Sequence, residues 1–253
     1  MSEAYVHSTF HGGVTTIEFF HPQSNSLPGA VLEKLAQTIH GAGNDEDTKV
    51  IVLKSGGNKA FCAGASFDEL MAIDDAESGY RFFFVFAHVI NAIRIVPQFV
   101  IGRIHGRCAG GGVGIAAAVD YAIALDTAEV KSSELALGIG PFVVGPAVER
   151  KIGVSAYSQL AIDATMWRNA EWARKRGLYS EVHSTVENLD ESVRRLTDKL
   201  VHSNPEAMAE LKKVFWKGTE HWDKLLLERA MISGKLVLSE HTRKAIAAVK
   251  SKS

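Results

Sequence analysis

The spacing of hydrophobic and polar residues predicts strands at the start of the chain and a helix soon afterwards. Residues 5–10 and 14–20 are rich in β-branched and aromatic side chains, and the glycine pair between them favours a hairpin turn. Residues 29–43 repeat apolar side chains at helical spacing, which predicts a helix with one face toward a core. The start of the chain is therefore predicted to be a hairpin followed by an amphipathic helix.

Short apolar runs alternate with helical patterns through the middle of the chain. The runs at 50–53, 99–104 and 121–125 predict buried strands, and residues 67–72 and 80–94 predict helices. Strands that alternate with helices favour an α/β layered core. The second of these helices carries aromatic residues that we expect in that core: Phe82, Phe83, Phe84 and Phe86.

The last third of the chain reads as mainly helical from residue 146 onward. Long helices are predicted at 188–202, 205–218 and 221–236 from their apolar spacing. The pattern therefore predicts two parts, a core over residues 1–187 and a helical C-terminal region over residues 188–253.

Composition narrows the classes of protein that fit this chain. Its 253 residues are 46% hydrophobic, which is enough for a sizeable core. A net charge of -1 with scattered charges argues against nucleic-acid and anionic-membrane partners. Cys62 and Cys108 are too few for a disulfide framework or a zinc cluster. Because the start lacks a signal-peptide pattern and no apolar run is long enough to span a membrane, we expect a cytoplasmic protein with reduced thiols.

The most unusual stretch is residues 106–114, Gly-Arg-Cys-Ala-Gly-Gly-Gly-Val-Gly, between a predicted strand and an alanine-rich helix. The first amides of a helix have no intrahelical partner and carry the positive end of its dipole. A helix start without side chains can therefore hold a negative oxygen. The alternative is a helix start that only packs tightly on its strand, and this stretch alone does not choose between the two.

A second loop of small residues and a single glutamate complete the candidate chemistry. Ala63-Gly64-Ala65 also follows a short strand, and amides from the two loops that converge on one oxygen would form an oxyanion hole. Glu134 lies among small and apolar residues, where desolvation raises the pKa of a carboxyl toward the range useful for proton transfer. The alternative for Glu134 is a structural role, as the cap of a turn or the partner of Arg150.

Several familiar motifs are absent from the sequence. It has no Walker A, HExxH, CxxC or GxSxG pattern, and the glycines of residues 110–114 do not match GxGxxG. Easily recognised phosphate, metal and dinucleotide sites are therefore not supported. Ser66 follows a small-residue loop, but nothing in the sequence supplies the base that a nucleophilic serine needs.

Three segments, in this order and spacing, resemble the crotonase (enoyl-CoA hydratase/isomerase) superfamily. They are Lys-Ala-Phe-Cys-Ala-Gly-Ala at 59–65, Ala-Gly-Gly-Gly at 109–112 and Ser-Glu-Leu-Ala-Leu-Gly at 133–138. Asn25-Ser26-Leu27 is similar to the first loop that contacts CoA in that family. The resemblance runs from about Val14 to the C-terminus.

The resemblance implies an α/β fold with a crotonase-like ββα spiral core and a C-terminal helical trimerisation region. The substrate would be an acyl-CoA thioester whose carbonyl oxygen accepts hydrogen bonds from the amides of Ala65 and Gly111, with Glu134 moving protons. No metal or redox cofactor is implied, because CoA is part of the substrate. Further substrate contacts are implied at six positions: Ser26, Leu27, Ala63, Gly64, Gly110 and Gly114.

Two positions depart from the family pattern. Ser66 stands where many members have Asp, which we regard as a minor change. Gly114 stands where hydratases with two catalytic glutamates carry the first of them, whereas the second falls on Glu134. Two glutamates divide the work of adding water to a double bond, but one base can move a proton between C2 and C4.

The reaction itself stays open at the level of sequence. We expect hydration of a 2-enoyl-CoA, because a glycine at position 114 would leave room for a branched or carboxylated acyl group such as methylglutaconyl. Asp68, Glu69 or His105 could then supply the second polar group, although each is more simply explained as structural. The alternatives are a Δ3,Δ2-enoyl-CoA isomerase that uses Glu134 alone and a non-enzymatic binding protein of the crotonase fold.

Helical apolar faces near the C-terminus predict self-association. Such faces exceed what a compact core needs to cover, and exposed apolar patches usually mark an interface. Together with the resemblance, they predict a homotrimer or a homohexamer built as a dimer of trimers. The residues concerned are Leu211, Val214, Phe215, Trp216, Trp222, Leu225, Leu226 and Leu227.

Overall fold

The computed structural model describes residues 3–250. Met1, Ser2 and residues 251–253, which the predicted division into two parts included, lie outside the described residues. The strands are β1 (Tyr5–His11), β2 (Val14–Phe20), β3 (Ser26–Leu27), β4 (Val50–Ser55), β5 (Ala60–Cys62), β6 (Gly64–Ala65), β7 (Phe99–Ile104), β8 (Arg107–Ala109), β9 (Tyr121–Leu125), β10 (Val130–Lys131) and β11 (Glu181–His183).

The helices surround these strands and dominate the C-terminal third. They are α1 (Gly29–Gly43), α2 (Phe67–Met71), α3 (Ala76–Ile95), α4 (Gly111–Ala118), α5 (Gly145–Ile162), α6 (Ala170–Lys175), α7 (Val186–Val201), α8 (Pro205–Phe215), α9 (Trp222–Leu236) and α10 (Glu240–Lys250). A short 3-10 turn spans Leu135–Leu137. The structure thus confirms the predicted alternation of strands and helices followed by a helical end.

The main sheet runs in the order β1-β2-β4-β7-β9-β11 within the described residues. Among the described strands of this sheet, only β1 and β2 pair in antiparallel fashion, because a tight turn joins them, whereas helical segments carry the chain between the later parallel strands. A smaller sheet, β10-β8-β5, and the pair β3-β6 lie beside it. These two small sheets carry the loops that the sequence singled out.

Helix α7 covers one face of the main sheet. Val52, Ile101 and Ile123 on the strands form a cluster with Leu189 of the helix. The division between residues 187 and 188 therefore falls inside α7, whose apolar stripe packs on the core sheet. The sequence pattern could show that α7 is amphipathic, but not which surface its apolar face covers.

The C-terminal helices also pack on the core more closely than their sequence indicates. Trp216 and Trp222 are only 6% and 5% exposed and meet edge to face with ring centroids 5.7 Å apart. Leu226 is fully buried. The prediction that these three side chains lie on an uncovered face is therefore wrong, because they complete the core beside α3. Val214 and Phe215 stay exposed at 65% and 51%, as does Leu211.

Helix α10 was not predicted from the sequence. It places Ile246 in a small cluster with Leu70 of α2 and Ile139, next to the 3-10 turn. Thr242 donates a hydrogen bond of 3.1 Å to the carbonyl oxygen of Gly138. The end of the chain therefore supports the turn that follows Glu134.

Two further predictions concern the state of the cysteines and whether any segment could span a membrane. Cys62 and Cys108 are buried free thiols, and burial raises the pKa of Cys62 to about 12. None of the helices in residues 3–250 combines the length and apolar character that crossing a membrane requires.

Candidate active site

The two small-residue loops lie against each other. Strand β5 pairs with β8, which places Cys62 beside Cys108 and brings the following loop to the start of α4. A methyl group built on the Gly64 Cα would lie 3.1 Å from the Ala109 carbonyl oxygen and 3.5 Å from the Gly111 nitrogen. The small sheet therefore joins segments that are about fifty residues apart in the sequence.

The two predicted amide donors lie on loops that meet, and Gly111 has no backbone partner for its N–H among the described residues. Gly111 is the first residue of α4, and within the described chain its N–H donates no backbone hydrogen bond. On the other loop, the Ser66 N–H donates to the Leu27 carbonyl oxygen at 2.9 Å. Since successive amides of an extended strand point to opposite edges, the Ala65 N–H points away from β3. Ala65 and Gly111 both line the same cavity.

Glycine is required at the start of α4 for two reasons. Gly110 has φ of 51°, a region that residues with a side chain rarely adopt. Gly111 approaches Phe86 so closely that a Cβ on it would lie 2.2 Å from the Phe86 Cε1 atom. The helix start is thus shaped both by backbone conformation and by the aromatic ring behind it.

Glu134 points back to the glycine loop. A methyl group built on Gly110 would lie 3.3 Å from Glu134 Oε1, and Ser132 Oγ donates to Glu134 Oε2 at 2.8 Å. Burial of the carboxylate raises the pKa of Glu134, whereas the hydrogen bonds from its own backbone N–H and from Ser132 act in the opposite direction. Oε2 of Glu134 therefore accepts from Ser132, and Oε1 lies beside the loop that carries Gly111.

The structural alternative for Glu134 is not what the structure shows. Its side chain makes no hydrogen bond that caps the following 3-10 turn. Arg150 donates to the Phe215 carbonyl oxygen instead and stacks over Trp216, with 4.0 Å from its Cζ to the ring centroid. Within the described residues, the carboxylate thus has a hydroxyl partner and no cation.

A cavity of about 170 Å³ brings these groups together. Its apolar wall includes three of the phenylalanines that were predicted in the core, Phe82, Phe83 and Phe86. Phe86 is buried, whereas Phe82 and Phe83 are only partly buried. The lining residues are Ala63, Gly64, Ala65, Phe67, Leu70, Phe82, Phe83, Phe86, Gly110, Gly111, Ser133, Glu134, Leu137, Ile139, Gly140, Pro141, Phe142, Val143, Val144 and Ser233.

Two of the predicted substrate contacts support the site from outside the cavity. Ser26 and Leu27 form β3 and pair with Gly64 and Ala65 of β6. Ser26 Oγ donates to the Ala65 carbonyl oxygen at 2.8 Å, and the Leu27 side chain is fully buried in the core. Both residues therefore hold the Ala65 loop in place. Because the Leu27 side chain is buried, a contact with CoA here would have to come from Ser26 or from the backbone of Leu27.

The expected space beside Gly114 is filled. A Cβ on Gly114 would lie 2.4 Å from Val144 Cγ1 and 2.6 Å from Val144 Cβ. Gly114 is buried and does not line the cavity, whereas Val144 does. The interpretation of Gly114 as an opening for a bulky acyl group is therefore wrong, because a side chain thirty residues further along the chain occupies the place.

The other polar candidates lie outside the cavity. Ser66 Oγ accepts from the Glu69 N–H at 3.3 Å and caps α2. Glu69 in turn accepts from the Gly29 N–H at 2.8 Å, at the start of α1. His105 is buried, and among residues 3–250 neither ring nitrogen has a hydrogen-bond partner. Burial, followed by the charge of nearby Arg103, lowers the pKa of His105. None of these residues, nor Asp68, lines the cavity.

Sequence reasoning missed Ser132, the hydrogen-bond partner of Glu134. Ser132 directly follows β10 and lies two residues before Glu134, but closeness in the sequence does not show which way its hydroxyl points. Ser233 of α9 was missed as well, because a serine on a C-terminal helix carries no sign that it faces a distant cavity.

Comparison with known proteins agrees with this geometry. A family model described as "Enoyl-CoA hydratase/isomerase" matches residues 9–250. The short-chain-enoyl-CoA hydratase of Clostridium acetobutylicum is 26% identical over 211 residues, covering 83% of this chain and 80% of that protein. The carnitinyl-CoA dehydratase of Escherichia coli K12 is 28% identical over 219 residues, covering 85% and 81%.

Solved structures share the fold along almost the whole chain. The structure of an enoyl-CoA hydratase from Bacillus halodurans has a TM-score of 0.88 at 22% identity, covering 96% of this chain and 99% of that chain. An enoyl-CoA hydratase from Mycobacterium smegmatis has a TM-score of 0.80 at 26% identity, covering 98% and 96%. The predicted crotonase-like α/β fold is confirmed, and the chain belongs to the enoyl-CoA hydratase/isomerase family of enzymes.

Proposed function

We propose that the protein binds an enoyl-CoA thioester, stabilises its enolate and moves a proton through Glu134. The observation that carries this proposal is the composition of the cavity wall. Glu134 is the one ionisable side chain in it within the described residues, and Ala65 and Gly111, the two predicted amide donors, line the same space. A base beside two backbone donors suits removal of a proton next to a thioester carbonyl.

The thioester carbonyl oxygen would accept hydrogen bonds from Ala65 and Gly111. Negative charge develops on that oxygen as the enolate forms, and the positive end of the α4 dipole lies at Gly111. Loss of one such donor typically costs about 2.7–4 kcal/mol of transition-state stabilisation. These groups would therefore stabilise the enolate more than the bound substrate.

Isomerisation is the reaction that this arrangement supports best. Glu134 would take a proton from C2 of a 3-enoyl-CoA, and the electron pair would delocalise onto the thioester oxygen on one side and through the C3=C4 double bond to C4 on the other. The protonated Glu134 would then return the proton to C4, which leaves the double bond between C2 and C3. One carboxylate performs both transfers, and its raised pKa favours the return step.

Hydration is the second candidate, and the similar proteins favour it. A relative named short-chain-enoyl-CoA hydratase and another named carnitinyl-CoA dehydratase are both similar over more than four fifths of this chain. In that reaction Glu134 would have to assist both the addition of hydroxide at C3 and the delivery of a proton to C2. The apolar wall offers no second carboxylate for this work in residues 3–250, and the space beside Gly114 is closed by Val144.

One experiment separates these reactions. The purified protein is incubated with 3-hexenoyl-CoA and, separately, with 2-hexenoyl-CoA in ¹⁸O-labelled water, and products are identified by mass spectrometry. Formation of the conjugated 2-enoyl thioester without uptake of ¹⁸O supports isomerisation, whereas incorporation of ¹⁸O at C3 supports hydration. Glu134→Gln is the matched control. Absence of both products, with no exchange of C2 protons into deuterated water, would refute the proposal.

A further inference from the structure

The wall of the cavity is apolar beyond the two amide loops. Helix α3 contributes Phe82, Phe83 and Phe86, and the segment after the 3-10 turn contributes Phe142 and Val144. Phe82 and Phe83 meet edge to face with ring centroids 5.0 Å apart. A ligand that reaches Glu134 from the amide loops must therefore place its tail among hydrocarbon side chains.

Among the side chains that the structure describes, no cation lines this cavity. Its lining in the described residues contains no lysine, arginine or histidine. The nearest arginine that the sequence offered as a partner for Glu134 was Arg150, which is committed to the Phe215 carbonyl oxygen and the face of Trp216. A negative group on the substrate tail would find no cation to pair with.

A carboxylate on the acyl tail would be disfavoured twice. Its transfer from water to an apolar wall without a partner costs desolvation free energy. It would also share a low-dielectric cavity with Glu134, and two nearby carboxylates resist being ionised together. Both effects apply to the free tail and not to the CoA portion, which carries its charges at the other end of the molecule.

We propose that this enzyme selects acyl-CoA thioesters whose acyl tail is apolar and carries no carboxylate. The inference rests on the proposed function, because it presumes that the thioester lies at Ala65 and Gly111. It replaces the expectation of a carboxylated substrate such as methylglutaconyl-CoA, since Val144 closes the space at Gly114 that this expectation required.

The test compares two unreactive thioesters of equal size. Glutaryl-CoA and 5-methylhexanoyl-CoA have the same number of non-hydrogen atoms in the acyl tail but differ in the terminal carboxylate, and neither has a double bond. Binding of each to the whole protein is measured by calorimetry at pH 7.5. We expect glutaryl-CoA to bind at least about ten-fold more weakly, which corresponds to about 1.4 kcal/mol. The ratio of the two Kd values cancels the contribution of CoA.

A gain-of-binding variant sharpens the test. Phe82 is only partly buried and lies on the wall, so Phe82→Arg can place a guanidinium at the cavity without emptying the core. We expect the ratio of Kd values to shift by about ten-fold in favour of glutaryl-CoA in Phe82→Arg and to stay near its wild-type value in Phe82→Leu. Phe142→Arg, on the opposite side of Glu134 in the sequence, is the second variant if Phe82→Arg does not fold.

The outcomes are distinguishable. Equal binding of the two thioesters by the wild-type protein would overturn the inference and leave the proposed function standing. Binding of neither thioester would overturn both. The wild-type comparison decides the inference even if neither arginine variant folds.

Discussion

Val144 occupies the place that a side chain at position 114 would need. A Cβ on Gly114 would lie 2.4 Å from Val144 Cγ1, and Val144 also forms part of the cavity wall. The glycine and the valine are therefore a matched pair between α4 and the start of α5. Val144 fills the space that a second acid–base side chain at position 114 would occupy, and glycine supplies no polar group there.

The Gly114–Val144 contact predicts a non-additive pair of mutations. Gly114→Ala overpacks a buried contact, which typically costs about 1–3 kcal/mol. Val144→Gly removes both side-chain atoms that the new Cβ would meet, so the double variant should be more stable than the sum of the single variants indicates. Urea unfolding of the wild type, both single variants and the double variant measures this coupling. Strictly additive changes in the free energy of unfolding would contradict the contact.

Glu134→Gln tests the acid–base role. The amide keeps the shape of the side chain but cannot take up a proton, so we expect turnover to fall by about 10²–10⁴-fold. Binding of a saturated acyl-CoA should change little, because the amide loops are untouched. Steady-state kinetics together with calorimetry separate the two effects. Full activity of this variant on both 2-enoyl and 3-enoyl substrates would show that Glu134 is not the acid–base group.

Ser132→Ala predicts a change in the pH profile. Glu134 acts as a base when it is ionised, so activity is present above its pKa and is lost as the pH falls through it. Burial raises that pKa above the ordinary value of 4.5, and the Ser132 hydrogen bond lowers it. Removal of the hydroxyl should therefore raise the pKa further and move the acid limb of kcat/KM to higher pH.

The conservative variant distinguishes this effect from general damage to the site. Ser132→Thr keeps a hydroxyl at the same position and should retain the acid limb close to that of the wild type. If Ser132→Ala lowers activity equally at every pH, Ser132 supports the local fold without tuning the Glu134 carboxyl.

A matched pair of substitutions tests the Gly111 amide. Any Cβ at this position meets Phe86, so both variants are made in a Phe86→Ala background. Gly111→Ala keeps the N–H, whereas Gly111→Pro removes it, and proline is tolerated in the first position of a helix. We expect the proline variant to be about 10²–10³-fold slower than the alanine variant. Equal rates would show that this amide does not stabilise the enolate.

Assembly is tested at Val214. We propose a homotrimer or a dimer of trimers, which is supported by the exposed Leu211, Val214 and Phe215 on α8. Light scattering of the purified protein should give three or six times the chain mass of 27.5 kDa. Val214→Glu should shift the protein toward smaller species, and Lys213→Glu on the same helix is the control for added negative charge. A wild-type protein of one chain mass at micromolar concentration would contradict this prediction.

The sequence by itself determined the elements whose cause is local. Alternation and apolar spacing predicted strand Phe99–Ile104 and helix Gly29–Gly43 with the ends that the structure has. The glycines before α4 marked a helix start that side chains do not obstruct. Resemblance then joined this start to Ala65 and Glu134, and the structure brings all three into one cavity. Hydrophobic periodicity and turn-forming residues are properties of short stretches of sequence, which is why this part could be predicted.

Tertiary structure decided what depends on distant segments. Whether Gly114 borders open space depends on Val144, and whether Trp216 is buried depends on how the C-terminal helices dock. A side chain's own sequence neighbourhood specifies its chemistry and its local conformation, but the space around it is filled by residues that only folding brings close.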